Sequence, residues 1–359
     1  MNTITVNYDN KPCYNVNISD SFEDFAVSYD FSESKICIIT DDNVANCVLD
    51  DFKAALNKEA LCYCIAPGES SKTLDTVKGI YDFLIKNDFN RNDILIALGG
   101  GVIGDITGFA ASTYERGISF VQVPTSLLAM VDSSIGGKTG VDFDGYKNMV
   151  GSFYMPKMVY INTSVLKSLP DREYFNGFAE VMKAALIRDS IFYTWLIDQM
   201  YEICEKDNEA VAHMIEKSVL IKKLVVEKDP TEKGERRILN FGHTIGHAIE
   251  KYSNFDLKHG ECVALGSVAS AFISWKKNWL TMEEYYEIRD MFVPFNLPIS
   301  VELLDIDKVL ENIKKDKKAE NGTINFVLLK KIGKAVIDNT VTPEDIKEAL
   351  NELNFDEAW

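Results

Sequence analysis

The sequence lacks any apolar run of membrane-spanning length. Its longest, Cys262 to Trp275, is interrupted by Gly and Ser and stops short of the roughly 20 residues that a span requires. The opening MNTITVNYDN has neither the basic start nor the apolar stretch of a secretory leader, so a cytoplasmic protein is expected. Positive charge is in deficit: 38 Lys and Arg stand against 55 Asp and Glu. The formal net charge of -17 disfavours nucleic acid or an anionic membrane as partner. Internal repeats and low-complexity tracts are missing as well. The seven cysteines follow neither a disulfide-framework nor a metal-ligand spacing, and their odd number points to reduced thiols. Cys62 and Cys64 read as inert core residues of a strand, because no second pair answers them as metal ligands.

What is present suits a two-domain soluble protein, since 359 residues exceed the size at which one core stops growing. The first half alternates strand-like and helix-like segments. KICIIT (35–40), ALCYCIA (60–66), DILIALGGG and GISFVQVP read as strands, and LDTVKGIYDFLIKN has helical spacing. Strands separated by helices imply a mostly parallel, Rossmann-like α/β sheet covered on both faces. After Leu169-Pro170 the pattern turns mainly α-helical, the clearest segments being FAEVMKAALIRD, IFYTWLIDQMYEICEK, AVAHMIEKSVLIKKLVVEKD and GECVALGSVASAFISWKKN. TINFVLLKK, behind Asn321-Gly322, reads as a strand after a tight turn. Thr342-Pro343-Glu344-Asp345 announces a last helix. The expected division is an α/β domain over 1–165 and a helical domain over 166–359.

GGGVIGD (99–105) ends a strand and opens a helix, with Gly99, Gly101 and Gly104 in G-x-G-x-x-G spacing. Such glycines let backbone approach a pyrophosphate at a helix N-terminus; the plainer reading is a turn needed for close packing. The next strand does not end in the acid that would take a ribose hydroxyl, so the acidic candidates are Asp41 and Glu69, at other strand ends. PTSLLAMVDSSIGGKTG (124–140) adds hydroxyls, Asp132 and Lys138 in a loop too apolar for disorder. Three of only four histidines cluster: His243 and His247 at i and i+4 share a helix face, and KHGE supplies His259. Imidazoles so grouped suggest a metal site, the alternative being satisfied cap or core histidines. Thr244 after His243 removes the general base of a metalloprotease. Glu180 and Lys183, three apart on a half-apolar helix, read on spacing alone as a surface ion pair.

GGGVIGDITGFAASTYERGI, VPTSLLAMVDSSIGGKTGVDF, YKNMVGSFYMP, SLPDREYFNGFAEVMKAALI, LNFGHTIGHAIE and KHGECVALG resemble, in order, the signature segments of the 3-dehydroquinate synthase family of sugar-phosphate cyclases. The resemblance runs from about residue 35 to about residue 335. It implies NAD and a divalent metal, zinc or cobalt, the metal held by Glu180, His243 and His259 with positions left for two substrate oxygens. NAD contacts would come from Asp41, Asn43, Glu69, Lys72, Gly100, Gly101, Val102, Ile103, Gly104 and Asp105. Thr125, Ser126, Asp132, Ser133, Lys138, Lys147 and Ser168 would complete that set. A small anionic sugar phosphate would meet Lys222 and Arg236 through its carboxylate, with Asn240 nearby, and Lys138, Asn148, His247 and either Lys317 or Lys318 through its phosphate. Asp132 and Lys183 also belong to the implied substrate set. Arg116 resembles a residue that reaches a neighbouring subunit's site, implying a homodimer. Ser126 stands where the family usually has Thr, and Asp142 where Asn is frequent.

The implied reaction converts 3-deoxy-D-arabino-heptulosonate 7-phosphate to 3-dehydroquinate and phosphate, the second step of the shikimate pathway. It runs through transient oxidation, β-elimination, re-reduction, ring opening and aldol closure, with Lys183, Glu232, His247, Lys138 and Asn148 as the catalytic set. His247 and Glu232 are the candidate proton carriers. Other readings are a cyclase making an inosose or valiolone, a metal- and NAD-dependent polyol dehydrogenase, or a catalytically silent binding protein. Asn240 and the 316–318 sequence DKK resemble the dehydroquinate branch.

Overall fold

The structure is a computed structural model that describes residues 1–254, 256–319 and 325–355, with the side chains of 314–319 and 355 outside the description. The chain forms two compact units, Met1–Pro170 with Lys206–Thr231, and Asp171–Glu205 with Glu232–Trp359. The Asn208–Lys228 helix therefore packs with the first unit although it lies in sequence among helices of the second. Both the backbone N–H and the side-chain amide of Asn7 donate to Glu227 on that helix, at 2.7 and 2.8 Å.

The first unit holds nine strands: β1 (Asn2–Tyr8), β2 (Lys11–Ser19), β3 (Ile36–Asp41), β4 (Leu61–Ile65), β5 (Ile94–Gly99), β6 (Ser119–Pro124), β7 (Lys138–Phe143), β8 (Tyr146–Phe153) and β9 (Met158–Asn162). Seven make one sheet in the order β1-β2-β9-β6-β5-β3-β4, parallel except for the β1–β2 hairpin. Alternation along the strands feeds two cores. Cys37, Ile39, Leu95 and Ala97 pack with Val77, Ile80, Ile103 and Ile106 on one face. On the other face Ile36, Ile38, Ile94, Ile96 and Leu98 pack with Phe22, Phe25, Phe52 and Tyr160. The mostly parallel α/β sheet is thus as read, while the β1–β2 and β7–β8 hairpins are additions that the sequence pattern did not mark. Cys62 and Cys64 correct the reading as core residues: β4 is an edge strand, where Cys64 is exposed and Cys62 half-buried.

The chain passes from β3 outward to β4 and then returns to β5 on the other side of β3, so the winding reverses between β3 and β5. In open α/β sheets ligands bind beyond the carboxyl ends of strands at such a switch point. Here those ends carry Asp41 and Gly99–Gly101.

The second unit is mainly helical and centres on the His259–Lys276 helix, whose residues Gly260 to Ser274 are all buried. Apart from Glu261, its GECVALGSVASAFIS sequence is apolar or small all round, as an enclosed helix requires. It packs against the Asp171–Arg188, His243–Tyr252 and Pro343–Leu353 helices. The last of these starts as read, with the Thr342 hydroxyl accepting from the Asp345 N–H at 3.2 Å. Phe326–Lys331 is a strand, paired antiparallel with Lys334–Asp338; the Asn321-Gly322 turn lies outside the described residues. Two glycines permit the close helix contacts. A Cβ at Gly260 would lie 1.9 Å from the Asn176 carbonyl oxygen, and one at Gly266 1.8 Å from that of Gly242. Both obstacles are backbone and cannot rotate away. Gly266→Ala is therefore expected to destabilise the protein by about 2–3 kcal/mol, read as a lowered midpoint in thermal or denaturant unfolding.

Candidate active site

In the second unit three helices deliver one polar cluster. Glu180 and Lys183 come from the Asp171–Arg188 helix, and their side chains are paired at 2% and 3% exposure. Such burial makes them an internal ion pair rather than the surface pair their spacing suggested. His243 opens the next helix and directs Nε2 toward Glu180 Oε1 at 3.6 Å, and His259, from the central helix, brings its Nε2 to the same oxygen at 3.3 Å. The start of that helix is fixed twice. Arg172 grips Glu261 with two donors, at 2.7 and 2.9 Å, and the Gly260 N–H donates to Asn176 Oδ1 at 2.6 Å.

One donor atom from each of Glu180, His243 and His259 falls within 4.8 Å of the others, the spacing that a single metal ion needs. His243 Nδ1 lies 3.0 Å from the Phe241 carbonyl oxygen; that contact suits an Nδ1–H and leaves Nε2 as the lone-pair donor. The donor set, one carboxylate and two imidazoles with no thiolate, fits zinc or cobalt in an open catalytic site. Burial pushes the His243 imidazole down to about 3. For His259 burial acts downward too, but the Glu180 and Glu250 carboxylates outweigh it and raise the group to about 9. Glu180 is pushed up by burial and more strongly down by Lys183, His259 and His243, ending well below the usual carboxylate range.

His247, exposed, lies beside this set with ring centroids 5.1 Å from His243 and 5.9 Å from His259. Within the same unit Asn240 donates to Glu232 at 3.1 Å, and Arg236 is 1% exposed. Lys317 and Lys318 belong to the Ile306–Ala319 helix, but their side chains lie outside the described residues. Sequence reasoning missed Glu250, which falls with His247 and His259 in a second group of close donor atoms. Its signal was available, since it follows His243 by seven residues on one helix face.

In the first unit Asp41, Gly100, Gly101 and Thr125 lie at the carboxyl ends of β3, β5 and β6, whereas Lys138 opens β7 and Lys222 lies on the Asn208–Lys228 helix. Gly100 caps the Gly101–Thr113 helix with no side-chain bond. Cβ atoms at Gly100 and Gly101 would press on the Ser126 and Ser133 hydroxyls, at 3.3 and 3.1 Å, so a bare backbone edge faces those two serines. That edge fits a pyrophosphate. Gly104 serves packing, for a Cβ there would meet the Gln122 side chain at 2.6 Å. Ile103 is in the sheet core, which leaves only its backbone for a ligand, whereas Val102 is half-buried. Asp41 accepts from the Val44 N–H at 3.0 Å as a helix cap, with Asn43 exposed in the first turn.

Lys72, 4% exposed, reaches Asp105 at 2.7 Å, Asn148 Oδ1 at 2.5 Å and Glu69 at 4.0 Å. Asp142 takes over the task an asparagine oxygen would perform: its Oδ1 accepts from the Asn148 N–H at 2.8 Å. Lys222 donates to both the carbonyl and the carboxylate of Asp132 at 2.6 Å. Thr125 is buried with its N–H on the Gly99 carbonyl, and Ser168 is exposed with its hydroxyl on Val165. Lys138, Lys147 and Arg116 are exposed, the last in a turn where Glu115 and Arg116 both have positive φ, 51° and 64°.

Residues 62–176 match the family model for the 3-dehydroquinate synthase N-terminal region and 177–319 that for its C-terminal region. A 3-dehydroquinate synthase of Ruminiclostridium cellulolyticum is 41% identical over 355 residues, covering 95% of this chain and 99% of that protein. Among solved structures, the 2-epi-5-epi-valiolone synthase ValA of Streptomyces hygroscopicus, with NAD+ and Zn2+ bound, superposes with a TM-score of 0.88 at 26% identity over 98% of this chain and 99% of that one. A 2-deoxy-scyllo-inosose synthase complexed with carbaglucose-6-phosphate, NAD+ and Co2+ gives 0.86, also at 26% identity over 98% and 99%. With both family regions matched and a relative of this identity along nearly its whole length, the chain belongs to the 3-dehydroquinate synthase family.

Proposed function

We propose that this chain is a phosphate-eliminating cyclase that converts 3-deoxy-D-arabino-heptulosonate 7-phosphate to 3-dehydroquinate and phosphate. The observation that carries the reading is the convergence of Glu180, His243 and His259 on one point, in a chain with full-length 3-dehydroquinate synthase relatives. Bound at these three residues a zinc or cobalt ion would supply Lewis acidity, and NAD at the glycine loop would supply reversible hydride transfer with no net oxidation. In this reading the NAD-binding part is the one expected at 1–165, and the metal- and substrate-binding part the one at 166–359.

The chain's own residues supply binding and proton handling. Lys222 and Arg236 take the substrate carboxylate and Asn240 a neighbouring oxygen, so that ring opening and closure proceed as oriented intramolecular steps. Lys138, Asn148, His247 and a lysine at 317 or 318 take the phosphate, and Lys147 and Ser168 belong with the NAD contacts. Lys183, paired to Glu180, offers an ammonium to substrate oxygens beside the metal site. His247 and Glu232 move protons, His247 being the imidazole of its helix left out of the metal set. Arg116 would serve a second copy in a homodimer. A phosphorylated substrate and free cysteines suit a cytoplasmic location.

The direct test is incubation with the heptulosonate phosphate, zinc and catalytic NAD. Phosphate and a carbocyclic product should appear one for one without NADH accumulation. Turnover of a hexose or heptose phosphate instead would assign the chain to another cyclase branch, the second reading that the solved neighbours favour.

Two further outcomes follow from the site. His247→Ala is expected to keep stoichiometric metal while turnover falls by about 10²–10⁴-fold; loss of metal from that variant would defeat the assignment of His247 to proton transfer. Metal binding should also release one proton at neutral pH. His243, at about 3, is already neutral there, whereas His259, at about 9, must lose a proton to ligate. Zinc affinity should accordingly fall about tenfold per pH unit below 9, and calorimetry in buffers of different ionisation enthalpy should count one proton rather than two or none.

A further inference from the structure

His259 stands between two carboxylates. Glu180 Oε1 lies 3.3 Å from its Nε2, and on the opposite edge of the ring Glu250 Oε2 lies 3.9 Å from its Nδ1. The Glu250 side chain is only 5% exposed, although nothing in the proposed reaction uses it. A carboxylate stripped of water in this way is costly to keep unless it meets a donor, and the Nδ1 edge of His259 is one donor that it faces. His243 has a closer contact on the same edge, its Nδ1 meeting the Phe241 carbonyl at 3.0 Å. Each imidazole of the trio thus has an oxygen on its outer edge and Glu180 on its inner edge.

We infer that Glu250 is a positioning residue that holds the Nδ1–H of His259 and so keeps Nε2 turned to the metal beside Glu180 and His243. The inference rests on the metal-site reading of those three residues. At 3.9 Å the Glu250 carboxylate faces the Nδ1 edge of His259 at ion-pair distance. A carboxylate on the outer edge fixes both the tautomer and the orientation of the ring, and makes the inner nitrogen a better donor. Glu250 shares its helix with His243, so it also couples the orientation of one imidazole to the helix that presents the other.

The test is competition for zinc and for cobalt(II) against a chromophoric chelator, with metal-stripped full-length protein and the variants Glu250→Gln, Glu250→Asp and His247→Ala. NAD titration and the metal-free melting curve accompany each variant. Glu250→Gln should weaken metal binding by about 10- to 100-fold with stoichiometry at saturation unchanged and the cobalt absorption bands shifted. Glu250→Asp should recover part of that loss, because it restores the charge, and NAD affinity should not move in either variant. Metal affinity and cobalt spectrum unchanged in Glu250→Gln would overturn the inference. So would a loss of metal in His247→Ala as large as in Glu250→Gln, which would make Glu250 a direct ligand in the group it forms with His247 and His259. Failure of the unaltered protein to bind metal would instead sink the metal-site reading itself.

Discussion

A carboxylate sealed at 2% exposure, as Glu180 is, keeps its charge only where donors stand against it, and Lys183, His259 and His243 all do. Removing one member of such a buried pair costs about 3–5 kcal/mol, because the other charge is left without compensation. The second unit is organised around meeting that requirement. Gly260 and Gly266 let three helices approach to backbone contact, and Arg172 with Glu261 locks the start of the helix that begins at His259. The imidazoles then arrive at Glu180 with the outer nitrogen of His243 on the Phe241 carbonyl and that of His259 facing Glu250 at 3.9 Å. A carboxylate and two imidazoles held this closely form a group that could hold a cation.

The first unit applies the same economy to the opposite charge. In a chain of net charge -17 its buried ammonium groups are each matched internally, Lys72 by Asp105 and Lys222 by Asp132. An anionic ligand at these lysines therefore competes with, or joins, a carboxylate already in place. The electrostatic gain of such a ligand is the difference between two pairings rather than the full attraction of a bare lysine. The glycine edge at Gly100 and Gly101 is different, since no side chain caps the helix start there. Its backbone donors are the part of this unit best prepared for phosphate oxygens.

The fold is legible in the sequence where a residue's environment is dictated by period. Ile36 to Ile39 and Ile94 to Leu98 alternate between two cores, and their short apolar runs are enough to mark buried parallel strands. The Asn208–Lys228 helix is legible as a helix but not as a member of the first unit, because an apolar stripe does not name the surface it packs against. The edge position of β4, which exposes Cys64, is likewise a fact of strand order that local sequence does not carry.

The candidate site is legible in proportion to local spacing. His243 and His247 announce themselves at i and i+4, and Glu250 completes that face yet reads as an ordinary helix glutamate until its burial is known. Glu180 lies 63 residues before His243 and 79 before His259, so only the family resemblance joined them. The account stands on those three being one site. Anomalous diffraction at the zinc edge, from crystals of the stripped protein given one equivalent of zinc, tests this most directly. It should show a single peak bounded by Glu180, His243 and His259; a peak among His247, Glu250 and His259, or none in the second unit, would contradict it.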